Sequence, residues 1–300
     1  MPAPEYVLVN GAASWNTVVR VAALPEPRAQ TLFAGGHTDG LGGTSAGKAV
    51  TLTALGVPTV LVTTTADDER GAAVRTALVR PGLRLVDRRA VAGGTERHVN
   101  LVSDDGSRVS VYLDLPTAPP ADDEVRGLVA GARVAVLDLA ESSRELLSVA
   151  REAGVPVWCD VHDDDGVADY PRAFAAAADV LVVSGARLAD PEAYLRAAVG
   201  RGCGLAVCTL GADGALALDG DGWWHVAPAA VTALADAEGA GDAFVAGLLR
   251  ATLDGLPRER ALAEASAAGA LAVSQPGLGA PHASVPALRA LADTVTVTRG

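Results

Sequence analysis

The sequence predicts an α/β fold built on a mainly parallel central sheet with helices on both faces, and three observations carry that prediction. Short continuous apolar runs recur along the chain, each the length of a strand. Helical patterns rich in Ala, Leu and Arg lie between several of them, and no repeat, low-complexity tract or long linker divides the 300 residues. Runs that are apolar at every position read as strands buried on both faces. Strand, helix and strand in succession then join parallel neighbours through right-handed crossovers.

The first run is Tyr6–Asn10, and the segments Thr17–Ala22 and Gln30–Phe33 that follow it are candidates for a small accessory sheet. A helical pattern, Ala46–Leu55, leads to the run Thr59–Thr63. Thr95–Val102 and Arg108–Leu113 alternate polar and apolar residues around Asp104, Asp105 and Gly106, which predicts a hairpin with one solvated face. Such a hairpin does not belong in a doubly covered parallel sheet, so it is assigned to the accessory sheet. The parallel rhythm then resumes: Arg133–Leu137, helix Ser142–Ala153, Pro156–Asp160, helix Arg172–Ala178, Val180–Val183, helix Pro191–Val199 and Leu205–Thr209. Ala215–Leu218 and Trp223–Val226 flank Gly220, Asp221 and Gly222, which predicts a second hairpin closing one edge of the main sheet.

Composition narrows the function. There are 24 Lys and Arg residues against 36 Asp and Glu, a net charge of -12, so no basic face is available for nucleic acid or an anionic membrane. No stretch approaches the roughly 20 uninterrupted apolar residues of a bilayer span. Met1–Glu5 has no basic region or apolar core, so no secretory signal is read there and a cytoplasmic location is expected. The three cysteines, Cys159, Cys203 and Cys208, are expected to be buried free thiols.

The chemistry concentrates in Asp236-Ala237-Glu238-Gly239-Ala240-Gly241-Asp242-Ala243-Phe244, followed by an apolar helical pattern through Leu253. Small residues running into a helix start leave the amides of Gly239, Ala240 and Gly241 free to meet an anion, and the helix dipole adds positive charge there. Asp242 falls in the first turn, where its carboxylate either caps amides or faces a cleft and takes a proton from a hydroxyl. A plain loop with an N-cap remains open on this evidence. The other arrangement, an anion cradle beside a carboxylate base, is what phosphoryl transfer to an alcohol needs.

This segment resembles the C-terminal signature of the ribokinase-like (PfkB) carbohydrate kinases. Gly42-Gly43-Thr44-Ser45-Ala46-Gly47-Lys48-Ala49-Val50, ending at Leu55-Gly56, resembles that family's sugar-binding segment, and Thr209-Leu210-Gly211-Ala212-Asp213-Gly214 its nucleotide-site turn. The resemblance covers nearly the whole chain. It implies a three-layer ribokinase-like fold in one domain, residues 1–300, with lid strands within about 12–36 and 94–114. It also implies an ATP-dependent sugar kinase in which Asp242 is the general base and Gly239, Ala240 and Gly241 hold the charge on the transferred group. Asn16, Gly42, Gly43, Lys48 and Glu141 fall on the sugar side, and Ser184, Arg187, Thr209, Gly211, Gly214 and Ser266 on the nucleotide side, while Arg97, His98 and Asn100, read from their alternation with apolar residues on the lid hairpin, either reach the substrate from one face or lie on a solvated face. ATP, Mg²⁺ and a monovalent cation are the implied cofactors, a sugar or nucleoside the acceptor, and a homodimer through the lid the assembly. A nucleoside kinase, or a sensor of the same fold without catalysis, is the alternative.

Five positions depart from the family pattern. Asn16 stands for the usual Asp, Gly47 for an Asn, Ala237 for a hydroxyl residue, and Ser184-Gly185-Ala186-Arg187 for the Asn-x-x-Glu associated with Mg²⁺, so no protein ligand for the metal is assigned. Gly42–Lys48 also satisfies the phosphate-loop pattern Gly-x-x-x-x-Gly-Lys, but Ala49 replaces the hydroxyl that would meet Mg²⁺. Asn10–Trp15 does not supply the glycines of a dinucleotide fold. His162-Asp163-Asp164-Asp165 reads as a solvated turn before it reads as a metal site, and Trp223 and Trp224 as edge packing.

Overall fold

The chain opens with β1 (Val7–Asn10), whose residues are all buried, then leaves the main sheet for β2 (Ser14–Val21) and β3 (Gly36–Gly42). It returns through α1 (Thr44–Ala54), β4 (Thr59–Thr65), α2 (Glu69–Ala77) and β5 (Leu83–Arg89). β6 (Arg97–Ser103) and β7 (Arg108–Asp114) form the alternating hairpin. Parallel crossovers follow: α3 (Asp123–Ala130), β8 (Val134–Leu137), α4 (Glu141–Arg144), α5 (Leu146–Ala153), β9 (Val157–Asp160), α6 (Asp169–Ala177), β10 (Val180–Ser184), α7 (Pro191–Gly200) and β11 (Leu205–Thr209). The chain ends with β12 (Ala215–Asp219), β13 (Gly222–Val226), α8 (Ala240–Leu253), α9 (Arg258–Val273), α10 (Val285–Ala292) and β14 (Val297–Arg299). This structure, a computed structural model, describes residues 5–104, 106–231 and 239–300. Asp105, Asp236, Ala237 and Glu238, named in the sequence reading, lie outside them.

Among the described residues the main sheet has ten strands in the order β14-β13-β12-β11-β10-β9-β8-β1-β4-β5. The run from β11 to β5 is parallel, and β12, β13 and β14 are antiparallel. Adjacent residues of one strand feed opposite cores, as the pleat requires. Val7 and Val9 join α1, α8 and α9 on one face, while Leu8 joins Val125, Leu146, Phe174 and Leu195 of the α3, α5, α6 and α7 layer on the other. β1 lies between β4 and β8, and the chain proceeds outward in both directions from it. The crevice at the carboxyl ends of the strands beside such a switch point is where open α/β sheets place ligands.

The second sheet has the order β3-β2-β6-β7. Its second strand in chain order corrects the sequence reading. Gln30–Phe33 is not a strand and is exposed; the partner of β2 is Gly36–Gly42, paired antiparallel from Arg20 with Gly36 to Ser14 with Gly42. That stretch carries three glycines, His37 and Asp39, so propensity speaks against a strand, and cross-strand pairing prevails over it. Three further differences are local. Ser142–Ala153 divides into α4 and α5 at Glu145, whose carboxylate accepts from the Ala121 amide at 2.6 Å. The second hairpin is not the sheet edge, since β14 pairs outside β13, and Arg299 lies 5.6 Å over the Trp224 ring. β5 was unread because its charged residues interrupt the apolar pattern of an otherwise half-buried strand. The three cysteines are buried and free, and no helix among the described residues is long and apolar enough to cross a membrane.

Candidate active site

A cleft of about 2030 Å³ follows the carboxyl ends of β1, β4, β9, β10 and β11, with the small sheet over one end. Asn16, His98, Asn100, Ser110 and Tyr112 line it from the small sheet. Thr209, Gly211, Gly214, Pro228 and Ser266 line the opposite end, and Gly239, Ala240, Gly241 and Asp242 lie in the lining as well.

The start of α8 is fixed by Gly239, which caps the helix in the left-handed region at φ 76°. A Cβ there would come within 2.5 Å of the Gly279 amide nitrogen, so only glycine fits. The first-turn amides have no intrahelical acceptors and are available to an anion. Asp242, in that first turn, is 5% exposed, and its carboxylate is engaged by a lysine rather than capping the helix. Gly47 of α1 leaves room for it, since a Cβ on residue 47 would stand 2.6 Å from Asp242 Oδ2. The space left by the missing side chain at Gly47 is thus occupied by the Asp242 carboxylate.

That lysine is Lys48, and here the sequence reading needs correction. Lys48 is fully buried and absent from the cleft lining, so it does not reach a sugar. Its Nζ lies 2.8 Å from Asp242 Oδ1, 3.1 Å from Asp160 Oδ2 and 3.2 Å from Asp138 Oδ1. A buried ammonium is tolerable only when paired and hydrogen-bonded, and three acids at two strand ends and a helix start supply this. Asp138 follows β8 and accepts from the Ser45 hydroxyl at 2.6 Å, while Asp160 closes β9 and accepts from the His162 amide at 3.0 Å. The same contacts rule out the phosphate-loop reading, in which Lys48 would face phosphates.

One ammonium among three carboxylates cannot satisfy each of them fully. Burial raises the Asp242 pKa to about 6, with Asp160 adding to the rise and Lys48 opposing it. Burial works against the Lys48 charge, but Asp138, Asp242 and Asp160 outweigh it and hold its pKa well above the usual range. Burial likewise disfavours the Asp160 charge, yet His162, Lys48 and the His162 amide bring its pKa below the ordinary value.

The remaining assignments divide. Asn16, Gly42, Gly43, Asn100 and Glu141 line the cleft, and Asn16 Oδ1 accepts from the His98 amide at 3.0 Å. Arg97 does not line it, because successive strand residues face opposite ways and it is His98 and Asn100 that face the cleft. Ser184, Arg187, Thr209, Gly211, Gly214 and Ser266 all line the cleft. The Ser266 hydroxyl donates to the Ala227 carbonyl and accepts from the Ala229 amide, so it shapes the wall with its backbone partners. Arg187 ion-pairs with Asp165 at 3.0 Å and Asp163 at 3.6 Å, and Asp164 accepts from the Tyr194 hydroxyl at 2.7 Å. The acidic run is therefore committed to protein partners, and among the described residues no group of three His, Cys, Asp or Glu is placed to hold a metal.

Asp138 and Asp160 were missed as site residues. Their signal was present: each is an acid ending an apolar strand run, where a parallel sheet opens onto its crevice. His98, stacked 3.7 Å from the Tyr112 ring and 2.8 Å from Glu96, was read only as one residue of an alternating face.

The sequence matches the pfkB family of carbohydrate kinases over residues 17–284. It is 32% identical over 278 residues to the acarbose 7(IV)-phosphotransferase of an Actinoplanes species, covering 90% of this chain and 92% of that one. It is 31% identical to the ATP-dependent ribose-1-phosphate kinase of Halopiger xanaduensis, covering 90% and 93%. Among solved structures, a microbiome-derived acarbose kinase superposes with a TM-score of 0.84 at 29% identity, covering 97% of this chain and 100% of that one. The Arabidopsis thaliana ribokinase complexed with ribose and ATP shares the fold, with a TM-score of 0.81 at 23% identity and coverage of 97% and 99%.

Proposed function

From the premise that the chain belongs to the pfkB family of carbohydrate kinases and carries out ATP-dependent phosphoryl transfer to a sugar, we propose that Asp242 is the general base and that the acceptor is a glycoside larger than a monosaccharide. The observation that carries this reading is the Asp242 carboxylate beside the first-turn amides of α8, with the small sheet to one side and the Thr209–Gly214 turn to the other. The acceptor hydroxyl gives its proton to Asp242 while its oxygen attacks the γ-phosphorus of ATP, and ADP leaves. The amides of Gly239, Ala240 and Gly241 take up charge on the transferred group, which is where preorganised donors lower a barrier. Asn16, Gly42, Gly43, Asn100 and Glu141 bind the sugar, and Ser184, Arg187, Thr209, Gly211, Gly214 and Ser266 border the nucleotide. Among the described residues Asp163 and Asp165 are paired with Arg187 and Asp138 and Asp160 with Lys48, which supports Mg²⁺ entering as the MgATP substrate. ATP as donor supports a cytoplasmic location.

A cleft of about 2030 Å³ is large beside the roughly 300–1,000 Å³ of most small-molecule pockets. That cleft takes both ATP and the acceptor, so it is the acarbose substrate named for two of the relatives that supports the larger acceptor. ADP release measured with MgATP against monosaccharides, malto-oligosaccharides, acarbose and nucleosides tests it. Turnover confined to nucleosides or to monosaccharides would overturn the acceptor assignment.

The base must be ionised to act, so kcat/KM is expected to fall as pH drops through about 6, the Asp242 value. A profile flat from pH 5 to 8 would contradict the assignment. We also place a dimer contact on the outer face of the small sheet. Val99 pairs with Val111 and Leu101 with Val109, which puts all four on one face, and Val109 and Val111 are 42% and 46% exposed. Light scattering that finds only monomer at micromolar concentration would remove the dimer.

A further inference from the structure

Resting on Asp242 as base, we propose that Lys48 and Asp160 are positioning residues: Lys48 holds the Asp242 carboxylate toward the cleft, and Asp160 competes for the same ammonium and thereby sets where Asp242 ionises. The groups facing the base come from three elements. α1 contributes Lys48, the segment after β8 contributes Asp138, and β9 with the residue beyond its end contributes Asp160 and His162. Cys159, next to Asp160, stays a neutral thiol because burial, with Asp138, Asp160 and Asp179 nearby, pushes its pKa up. Arg187 is engaged by Asp163 and Asp165, and His98 is paired with Glu96, so neither is directed at Asp242.

The geometry makes the competition specific. Asp160 Oδ2 and Asp242 Oδ1 approach the same Nζ, at 3.1 and 2.8 Å. Asp160 is anchored independently, its Oδ1 accepting from the His162 amide at 3.0 Å and its Oδ2 lying 3.4 Å from His162 Nδ1. His162 adopts φ 52°, the one positive φ at a non-glycine among the described residues, and this turn brings its own amide back onto Asp160. A backbone held in a sparsely populated conformation at a cleft wall implies that the surroundings require it there. With Asp160 fixed from the His162 side, its charge acts on Lys48 and on Asp242 in every turnover.

The two residues therefore shift the base in opposite directions. Asp160→Asn removes a repelling charge and leaves Lys48 with Asp242 and Asp138, so Asp242 ionises more readily. Lys48→Met removes the attracting charge, so Asp242 stays protonated to higher pH. A neighbouring charge at this range moves a carboxyl by about 1–3 pH units. In profiles of kcat/KM against pH with MgATP and an acceptor, the acid limb of Asp160→Asn is expected about one pH unit or more below wild type. That of Lys48→Met is expected as far or farther above it. A merely structural role would lower the plateau or the melting temperature and leave the limb in place. If Lys48→Met does not fold, Asp160→Asn decides alone. An Asp160→Asn limb that coincides with wild type, beside an inactive Asp242→Asn, overturns the proposal; an Asp242→Asn variant that still turns over removes the base reading and this inference with it.

Discussion

Asp242→Asn is expected to lower kcat by about 10²–10⁴-fold, the range for removing a general base, while the protein stays folded. The amide has the shape of the carboxylate, and its oxygen still accepts from Lys48 Nζ, now 2.8 Å away. It has no lone pair basic enough to receive the hydroxyl proton. Folding should not suffer, and the sign follows from linkage. The folded-state pKa, about 6, lies above the ordinary carboxyl value of 3.8 because the site is dry. Between those two values the folded state holds more protons than the unfolded chain, so ionised Asp242 is a liability to stability that grows as pH rises through the window. Replacing it by a neutral amide removes that liability, and Lys48 keeps Asp138 and Asp160. Melting at pH 8 should accordingly match or exceed wild type. Turnover within a few-fold of wild type would mean that another group takes the proton.

The sequence made the main sheet legible because its strands are buried on both faces, so their apolar runs needed no partner to be seen. Leu205–Thr209 and Pro191 as a helix start are read from local residues alone. What failed was structure that depends on a distant partner. β3 is a strand because β2 lies beside it, and its own glycines give no hint. The same division runs through the site. Gly239, Gly241 and Asp242 were recognisable because a glycine turn into a helix is a local device. Lys48 was misassigned because its motif position says which helix it is on and not which way that helix faces. Only when α1 is packed against α8 does Lys48 point at acids on β9 and beyond β8, from parts of the chain about 90 to 190 residues away. Polar groups in a core are defined by their partners, and partners of this kind are invisible to periodicity.

Lys48→Met is expected to destabilise the protein by about 3–5 kcal/mol, the cost of leaving the other side of a buried ion pair unmatched. Methionine fills much of the volume of the lysine stem, so the loss is electrostatic more than steric. Asp138, Asp160 and Asp242 would remain within a few ångströms of one vacated point, each at most 8% exposed. Such carboxylates cannot all ionise, and their pKa values rise above those of the unfolded chain. The linkage sign then fixes the pH dependence: raised folded values mean that stability falls as pH climbs, so the deficit is large at pH 8 and shrinks toward pH 5. Urea unfolding of both forms at the two pH values measures this directly. Adding Asp160→Asn to Lys48→Met should recover part of the loss at pH 8 and little at pH 5, since it removes a charge that is already neutralised by a proton at the lower pH. A deficit equal at both pH values, unchanged by the second substitution, would show that Lys48 supports the fold through packing and that the acids beneath the base do not compete for its charge.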